Sequence, residues 1–326
     1  MRMNADNPTV VDLYAGAGLL SHSFATEGFC IVQAVEWDKT AAATYALNVG
    51  PHVICDDVRR AAAIGRCDVL IGGPPCQGFS TLGKRKDDDP RNWLSLEMAR
   101  WAKVLHPKVV VVENVEAFLH AAAWRKLSRA FELMGYSVSS HVLNAYDMGV
   151  PQLRSRSFTV ASRIGSPSVT SVVRRPVRTV RNAWYGLSSV PDGRNHHYAP
   201  TPSSLALARM RAIPMGGDKR DVLRTAPHLA PPSWRQVSGQ VTDVWGRLEW
   251  DRPSNTLRTA LQNPSKGRYI HPEQDRVMSL REAARLHTIP DTWSFVGLPT
   301  QVARQIGNSV PPAMGRAIAR AVRALL

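Results

Sequence analysis

The sequence predicts an α/β protein with a mostly parallel sheet and a second, smaller domain that is rich in loops. Short β-rich runs alternate with helical segments through the first half of the chain, which is typical of a parallel sheet covered by helices on both faces. From about residue 164 this periodicity fades, and Pro, Arg, Ser and Gly become more frequent. A length of 326 residues also suits two domains of ordinary size.

The first part of the chain contains three predicted strands and two predicted helices. Val10–Tyr14 is a β-rich run that ends in a glycine turn, and the helical stretch Leu20–Glu27 follows it. Ile31–Trp37 is predicted as the second strand and Thr40–Asn48 as the second helix. His52–Ile54 is predicted as a short third strand.

The same alternation continues for two more strands and two more helices. Val69–Ile71 is predicted as a strand before a Gly-Gly-Pro-Pro turn, and Leu94–Leu105 has apolar residues at helical spacing. Val109–Val112 is predicted as a buried strand and Trp124–Met134 as a helix. Ligands of such sheets bind beyond the carboxyl ends of the strands, so the loops after residues 14, 37, 71 and 112 are where we expect the chemistry.

The second part of the chain is less regular but is not predicted to be disordered. The stretch 165–250 contains Trp184, Trp234 and Trp245, which are uncommon in disordered segments. Ser279 and the glutamate three residues later form a capping box that predicts a helix over Leu280–Leu286. A final amphipathic helix is predicted over Ala313–Leu326.

The charge of the chain is positive and unevenly spread. Forty-one Lys and Arg residues against 26 Asp and Glu residues give a net charge of +15. Residues 151–260 hold 17 of these cations and 6 of the anions, so +11 of the excess lies in one third of the chain. This asymmetry indicates a surface for a polyanion such as nucleic acid, and a solvated basic face that aids solubility is the alternative.

Composition also excludes several classes of protein. Hydrophobic residues make up 44% and charged residues 21%, which is ordinary for a globular chain and excludes disorder throughout. No apolar stretch approaches the roughly 18 residues of a membrane helix, and the polar N-terminus lacks the apolar core of a signal peptide. We therefore expect no membrane partner and a cytoplasmic, nucleoid-associated protein.

One of the four cysteines has an unusual setting. Cys30, Cys55, Cys67 and Cys76 include no C-x-x-C pair and no zinc-like spacing with histidine, so neither a disulfide scaffold nor a metal site is predicted. Cys76 follows Gly72-Gly-Pro-Pro75, whose prolines fix the backbone beside a strand end. An inert core cysteine is the alternative, but this position favours a nucleophile. The basic segment 83–86 that follows could close as a lid over a phosphate backbone.

The first glycine turn predicts a nucleotide site. The segment Asp12–Gly18 turns from a strand through glycines into a helix, and Glu36 ends the next strand 18 residues later. That is about where a nucleotide-binding fold places the carboxylate for the ribose hydroxyls, although Ser21 replaces the third glycine of the dinucleotide pattern. Asp57 could reach the base of the same nucleotide. The alternatives are a solvated carboxylate at Glu36 and an exposed turn residue at Asp57.

Two further groups of polar residues follow strands or lie on them. Glu113 comes directly after a buried strand, where a partly buried carboxyl group can hold and donate a proton, and a helix N-cap with Asn114 is the alternative. If the segment around them is a strand, Gln152, Arg154 and Arg156 share one face and present an amide and two guanidinium groups. An exposed basic strand is the alternative for these three residues.

Together these motifs resemble those of the C5-cytosine-specific DNA methyltransferases of bacterial restriction–modification systems. The matching blocks occur in the family's order over nearly the whole chain. They are Asp12–Gly18, Glu36-Trp37, Asp57-Val58, Gly73-Pro-Pro-Cys-Gln-Gly-Phe-Ser80, Glu113-Asn114-Val115, Gln152-x-Arg154-x-Arg156, Arg252-Pro-Ser-x-Thr256 and Gln305-Ile-Gly-Asn-Ser-Val-Pro-Pro312. The least matched stretch, 165–250, is where that family carries its variable target-recognition region, and it lies within residues 151–260, where the positive charge is concentrated.

The resemblance implies catalytic roles for four residues. Cys76 would add its thiolate to C6 of the cytosine. Glu113 would bind N3 and the 4-amino group and share a proton with N3. Arg154 would contact O2, and Arg156 would hold the base or help to position Cys76.

The resemblance also implies a Rossmann-like domain that binds S-adenosylmethionine. Glu36 would bind the ribose, Trp37 would stack on the cofactor, and Asp57 would bind the adenine amino group. The complete predicted cofactor site comprises Tyr14, Gly16, Ala17, Gly18, Leu19, Glu36, Trp37, Asp57, Pro75, Leu94, Asn308 and Val310.

The implied organisation is a catalytic domain of residues 1–164 and 291–326 and a target-recognition domain of residues 165–290. The substrate would be double-stranded DNA, from which the target cytosine is flipped at a cost of a few kcal/mol while a lid around residues 78–92 closes. A cognate restriction endonuclease is the expected functional partner, and we expect the enzyme to act as a monomer. The target sequence and the residues that recognise its bases are not predicted.

Three other functions explain part of the pattern. An RNA cytosine-C5 methyltransferase of the tRNA-modifying type has the same fold, but it lacks a large variable region where this chain has about 85 residues. A non-catalytic DNA-binding regulator would not need the catalytic set of Cys76, Glu113 and the two arginines. A NAD-dependent oxidoreductase explains the glycine turn and Glu36, but neither the Pro-Pro-Cys segment nor the basic region.

Overall fold

The computed structural model describes residues 7–75, 90–166, 178–235 and 243–326. The chain forms two compact units, of which the first comprises Met1–Met148, Ser155–Arg174 and Val310–Leu326, and the second Gly149–Arg154 and Arg175–Ser309. Cys76 and the predicted lid up to residue 89 lie outside the described residues. Residues 291–309 group with the second unit, whereas the sequence-based division assigned them to the catalytic domain. That division by function stays a prediction.

Among the described residues, seven strands of the first unit form one mixed sheet. Its strand order is β3-β2-β1-β4-β5-β7-β6. Strands β1 to β5 pair in parallel, and β6 and β7 pair antiparallel at one side, so the prediction of a mostly parallel sheet is confirmed. The strands are β1 (Thr9–Leu13), β2 (Cys30–Glu36), β3 (Val53–Cys55), β4 (Val69–Gly72), β5 (Val109–Asn114), β6 (Ser137–Asn144) and β7 (Ser155–Ser162).

The helices of the first unit cover this sheet, and their ends follow ordinary capping chemistry. The backbone leaves β1 through Gly18, whose φ of 89° is a left-handed conformation that glycine adopts without strain. The side chain of Asp38 accepts hydrogen bonds from the backbone amides of Thr40 and Ala41 and so caps the second helix. These helices are α1 (Leu19–Thr26), α2 (Lys39–Asn48), α3 (Glu97–Leu105), α4 (Ala122–Leu133) and α11 (Pro312–Arg323), with shorter 3₁₀ turns at Pro90–Leu96, Glu116–His120 and Ala145–Met148.

The core of the first unit is apolar on both faces of the sheet. Val109–Val112 is completely buried, as expected of a central parallel strand. Trp101 and Phe131 belong to the apolar cluster on one face, where they pack with residues of β1, β4 and β5. No helix in the described ranges is long and apolar enough to cross a membrane.

In its described residues, the second unit consists of short helices, loops and one parallel pair of very short strands. Arg247 is almost fully buried and donates hydrogen bonds to the carbonyls of Met210, Ile213 and His271, so a guanidinium group ties together segments that have little regular structure. Ser279 forms the predicted capping box. Its elements are α5 (Val180–Trp184), α6 (Ser204–Arg211), α7 (Lys219–Thr225), α8 (Pro232–Arg235), β8 (Gly246–Arg247), β9 (Arg268–Ile270), α9 (Leu280–Leu286) and α10 (Pro299–Asn308).

The prediction that Gln152, Arg154 and Arg156 share one strand face is wrong. β7 begins at Ser155, opposite Asn144, and residues before it have no neighbouring strand in the sheet because β6 ends there. Gln152 instead forms an isolated bridge with Ser254 in the second unit. Only Arg156 lies on β7.

Candidate active site

The carboxyl ends of four parallel strands bring the predicted site residues of the first unit to one edge of the sheet. β1, β2, β4 and β5 all end at this edge. Tyr14 and Gly73 directly follow β1 and β4, Glu36 is the last residue of β2, and Glu113 is the penultimate residue of β5. β7 runs in the opposite direction, so its first residues lie at the same edge. Arg156, the second residue of β7, therefore lies beside the carboxyl end of β5.

Glu36 is held against the glycine turn by backbone amides. Its Oε2 accepts a hydrogen bond of 2.8 Å from Gly16 N–H, and its Oε1 accepts one of 2.8 Å from Asp38 N–H. The side chain is only 7% exposed, and this burial raises its pKa above the ordinary value of 4.5. Each carboxylate oxygen can accept a second hydrogen bond, so a diol could still bind here.

Tyr14 and Leu94 lie next to each other at the same edge. The Tyr14 hydroxyl donates a 2.6 Å hydrogen bond to the carbonyl of Leu94, and burial raises the pKa of the phenol. Tyr14 itself has a φ of 58°, which starts the turn that continues through the glycines. The indole of Trp101 donates to the carbonyl of Val58 at 2.9 Å and thereby anchors the turn that carries Asp57.

Asp57 and Trp37 differ in how available they are. Asp57 pairs with the guanidinium of Arg59, whose Nη2 lies 2.5 Å from its Oδ2, and these hydrogen bonds lower the pKa of Asp57 to about 2. An adenine amino group would therefore share this carboxylate with Arg59. The side chain of Trp37 is 77% exposed directly after Glu36, which suits a stacking surface.

The other predicted cofactor residues divide into an open turn, buried supports and one residue of the second unit. Gly16 has open space where a side chain would lie, whereas a Cβ on Gly18 would come within 2.8 Å of the Tyr45 ring. Ala17, Leu19 and Val310 are buried in the first unit, so their side chains are supports. Asn308 is exposed and belongs to the second unit.

Glu113 forms an ion pair with Arg156. The Arg156 Nε lies 3.1 Å from Glu113 Oε1, and both side chains are close to 90% buried. Arg156 also donates to the carbonyl of Ser155 at 2.7 Å, which fixes the plane of the guanidinium. A nearly buried carboxylate is costly unless it is paired, and Arg156 supplies the compensating charge.

The loop that leads to Cys76 is held beside Glu113. The amide of Asn114 donates to the carbonyl of Pro74 at 3.2 Å, one residue before the half-buried Pro75. A Cβ on Gly73 would lie 3.3 Å from Glu113 Oε2, so glycine lets the loop backbone approach the carboxylate closely. Asn114, which the sequence suggested only as a possible cap, thus positions the predicted nucleophile loop.

Arg154 has a different environment from Arg156. It is 1% exposed in the second unit, and its guanidinium donates to the carbonyls of Leu257, Gly307 and Ser309 at 2.9–3.0 Å. These contacts engage three carbonyls of two backbone segments and do not favour the contact with cytosine O2 that the resemblance implied. They indicate that Arg154 supports the turn that carries Asn308.

Sequence reasoning missed a chain of buried polar residues below the glycine turn. Asp12 accepts from Ser21, Ser21 accepts from Tyr45, and the Tyr45 hydroxyl lies 3.0 Å from His52 Nε2. These residues come from β1, α1, α2 and the loop before β3, so no local spacing reveals them. Burial raises the pKa of Asp12 to about 7.

Two carboxylates at the same edge of the sheet therefore differ in what they can bind. Glu36, together with the exposed indole of Trp37 and the open Gly16 turn, can bind a nucleoside. Glu113, paired with Arg156 and beside the Pro-Pro-Cys loop, can bind and protonate a planar polar ring. Such an edge can position a nucleoside-bearing donor and a base for transfer between them.

Comparisons with known proteins identify the family of the chain. The profile of the C-5 cytosine-specific DNA methylase family matches residues 8–324. The Type II methyltransferase M1.HphI of Haemophilus parahaemolyticus is 35% identical over 96% of this chain and 86% of its own length. The Type II methylase M.HgiDII of Herpetosiphon aurantiacus is 30% identical over 97% of this chain and 95% of its own length.

The fold is also shared with a solved structure. The crystal structure of a DNA modification methyltransferase encoded within an E. coli prophage has a TM-score of 0.71 and 26% identity, and covers 98% of this chain and 99% of that one. The resemblance and the Rossmann-like fold stated from the sequence are confirmed. This chain belongs to the C-5 cytosine-specific DNA methylase family.

Proposed function

We propose that this chain transfers a methyl group from S-adenosylmethionine to C5 of a cytosine within a specific double-stranded DNA sequence. The observation that carries the proposal is the Glu113–Arg156 ion pair beside the loop that leads to Cys76, at the same sheet edge as the nucleoside-binding features around Glu36. Family membership makes cytosine in DNA the substrate, and the residue roles below belong to this proposal.

The residues around Glu36 fit the donor. S-adenosylmethionine, when bound, supplies an electrophilic methyl group on a positively charged sulfur. Glu36 keeps free acceptor positions for two ribose hydroxyls, and Trp37 offers an exposed aromatic face. Asp57 accepts the adenine amino group beside Arg59.

Chemistry at the cytosine rests on Cys76, Glu113 and Arg156. The Cys76 thiolate forms a bond to C6 as the C5–C6 double bond breaks, and Glu113, which binds the base in its protonated form, places its proton on N3 so that the ring gains no full negative charge. Arg156 holds Glu113 in position. After methyl transfer a base removes the proton from C5, the thiolate leaves C6 as the C5–C6 double bond forms again, and the proton on N3 returns to Glu113.

Recognition of DNA is assigned to residues 165–290. The described part of this region is rich in arginine, and cationic contacts to phosphates supply affinity before a few side chains select the sequence. Relatives named Type II methyltransferases support a role in protecting host DNA from a cognate endonuclease. The enzyme would act in the cytoplasm as a monomer.

The test is single-base mapping of 5-methylcytosine after incubating unmethylated genomic DNA with the purified protein and S-adenosylmethionine. A short recurring methylated motif is expected. Methylation of RNA alone, or salt-sensitive DNA binding without methylation, would contradict the proposal.

A duplex that contains this motif with 5-fluorocytosine at the target tests the role of Cys76. After methyl transfer from S-adenosylmethionine, a fluorine at C5 leaves no proton for a base to remove, so the wild-type protein is expected to stay covalently attached to the DNA. Cys76→Ser should bind the duplex without forming the adduct, and Cys55→Ser, at an exposed cysteine, should form it normally. An adduct of Cys76→Ser would assign the nucleophile to another residue.

A further inference from the structure

A buried chain of hydrogen bonds leads from below the glycine turn to a half-buried histidine. Ser21 Oγ lies 2.7 Å from Asp12 Oδ2, Tyr45 donates to Ser21 at 2.9 Å, and Tyr45 lies 3.0 Å from His52 Nε2. Asp12, Ser21 and Tyr45 are at most 1% exposed, whereas His52 is partly accessible. The chain therefore connects a fully buried carboxyl group to a group that can exchange protons with water.

The hydrogen bonds fit two protonation states of Asp12. When Asp12 is ionised, His52 Nε2–H donates to Tyr45, Tyr45 donates to Ser21, and Ser21 donates to the carboxylate. When Asp12 carries a proton, the directions reverse: Asp12 donates to Ser21, Ser21 donates to Tyr45, and Tyr45 donates to an unprotonated His52 Nε2. When Asp12 loses its proton, that proton moves to Ser21, the Ser21 proton moves to Tyr45, and the Tyr45 proton moves to His52 Nε2. His52 then releases its Nδ1 proton to water.

Packing links this chain of residues to the glycine turn. The Tyr45 ring lies directly beneath Gly18, where a Cβ would approach it to 2.8 Å, and it packs with Ala15 of the same turn. Asp12 lies two residues before Tyr14, which begins the turn. A change in charge at Asp12 therefore occurs immediately below the backbone that the proposed donor would contact.

Among the residues that the structure describes, few charged and titratable groups act on Asp12. From β2, Glu36 opposes its ionisation, and from β4 the opposite residue is the apolar Ile71. On α1, His22 has its pKa lowered by burial and by Arg316 of α11, so it adds no strong field. A positive charge on a bound donor would favour the ionised form of Asp12 against the repulsion from Glu36.

We propose that Ser21, Tyr45 and His52 form a proton relay for Asp12, with Tyr45 as its central positioning residue, and that binding of a sulfonium donor releases the Asp12 proton through it. This inference rests on the proposed donor site at the glycine turn. It gives the site a means to distinguish the donor from its demethylated product, S-adenosylhomocysteine, whose sulfur is uncharged.

The test is calorimetric titration of the wild-type protein with each of these two ligands in buffers of different protonation enthalpy. At pH 7 the donor is expected to release up to about half a proton, because Asp12 is then about half protonated, and the product should release clearly less. Glu36 contacts a ribose present in both ligands, so any proton that it contributes cancels in the comparison. Equal proton release for the two ligands would overturn the relay.

Three variants test whether the released proton comes from Asp12 through the relay, and a fourth controls for the loss of a buried hydroxyl group. Asp12→Asn should abolish the difference between the ligands, and Tyr45→Phe and Ser21→Ala should move the maximum of donor-linked release to higher pH by about half a unit to one unit. Tyr136→Phe also removes a buried hydroxyl from the first unit, but that hydroxyl bonds to Pro107 and should leave the release unchanged.

The outcomes separate the relay from the donor site. A difference between the ligands that persists in Asp12→Asn, or a Tyr45→Phe profile identical to that of the wild type, would overturn the relay while the donor site stands. A wild-type protein that binds neither ligand would overturn the proposed donor site, and the relay's role with it.

Discussion

Glu36 and Glu113 end two parallel strands of one sheet and are equally buried, at 7% exposed, but their partners differ. Glu36 accepts hydrogen bonds from two backbone amides and forms no ion pair with any of the described residues, whereas Glu113 pairs with the guanidinium of Arg156. Amide donors fix a carboxylate without neutralising it and leave acceptor positions for hydroxyl groups. A paired guanidinium lets a carboxylate stay buried where a base must be bound. The difference indicates that similar burial can serve donor binding at one strand and chemistry at another.

The largest expected effect is that of Glu113→Gln on turnover. An amide cannot deliver the proton to N3, so kcat should fall by about 10²–10⁴-fold while donor affinity stays the same. Steady-state methylation of a duplex containing the target site measures this. The control is Glu116→Gln, at an exposed carboxylate three residues later, which should keep full activity. A Glu113→Gln variant with normal kcat would remove Glu113 from the chemistry.

Arg154 should differ sharply from Arg156, although both belong to the same motif. Arg154→Lys would replace two donor nitrogens with one, so the carbonyls of Leu257 and of the 307–309 turn could not both be bound as they are, which should lower the free energy of unfolding by about 2–4 kcal/mol. Arg156→Lys keeps a cation near Glu113 and should mainly reduce kcat. Thermal unfolding and turnover measured on both variants make the comparison. Equal stability of the two would contradict the supporting role of Arg154.

Glu36→Gln should weaken donor binding by about 10–100-fold and leave kcat at saturating donor nearly unchanged. The amide nitrogen would face a backbone N–H of Gly16 or Asp38, and one acceptor for the ribose would be lost. Calorimetric titration with S-adenosylmethionine measures the affinity. Glu132→Gln, at a surface carboxylate paired with Arg129, is the control and should bind normally.

The raised pKa of Glu36 should make the free energy of unfolding depend on pH. Because the folded protein holds this proton at higher pH than the unfolded chain does, the free energy of unfolding loses a contribution as pH rises from about 4.5 through the folded pKa of Glu36. Glu36→Gln should remove that loss, so the variant gains stability relative to wild type across this window. Denaturant unfolding at a series of pH values would detect it, and parallel curves would contradict the assignment.

The smallest expected effects are those of alanine substitutions at Gly16, beside Glu36, and at Gly73, beside Glu113. Gly16→Ala meets no atom but must adopt a φ of 55°, so it should cost about 1–2 kcal/mol of stability. Gly73→Ala places its Cβ 3.3 Å from Glu113 Oε2 and should shift that carboxylate by a few tenths of an ångström, lowering kcat several-fold with little loss of stability. The reverse pattern would contradict the comparison.

Much of the first unit could be predicted from local sequence. The predicted strands Val10–Tyr14 and Ile31–Trp37 differ from β1 and β2 by one residue at each end, because short runs rich in β-branched and other apolar residues mark buried parallel strands. The edge strand β6, Ser137–Asn144, was not predicted. Its residues are polar and only partly buried, so it lacks that signal.

The predicted site was less complete because its contacts connect distant residues. Glu36 could be placed from its spacing after the glycine turn, but its amide partners could not. The hydrogen bonds of Arg154 go to carbonyls more than 100 residues away in sequence. The relay of Asp12 through Tyr45 depends on the packing of two separate helices, α1 and α2. Neither side-chain spacing nor composition contains that information.

The most direct test of the division between the two carboxylates is the single-turnover methylation rate measured against S-adenosylmethionine concentration for the wild type, Glu36→Gln and Glu113→Gln. Glu36→Gln should keep the maximal rate and require about 10–100 times more donor for half-saturation. Glu113→Gln should keep the half-saturating concentration and lose about 10²–10⁴-fold in maximal rate. If both variants lowered the maximal rate equally with unchanged half-saturation, the division of roles would be contradicted.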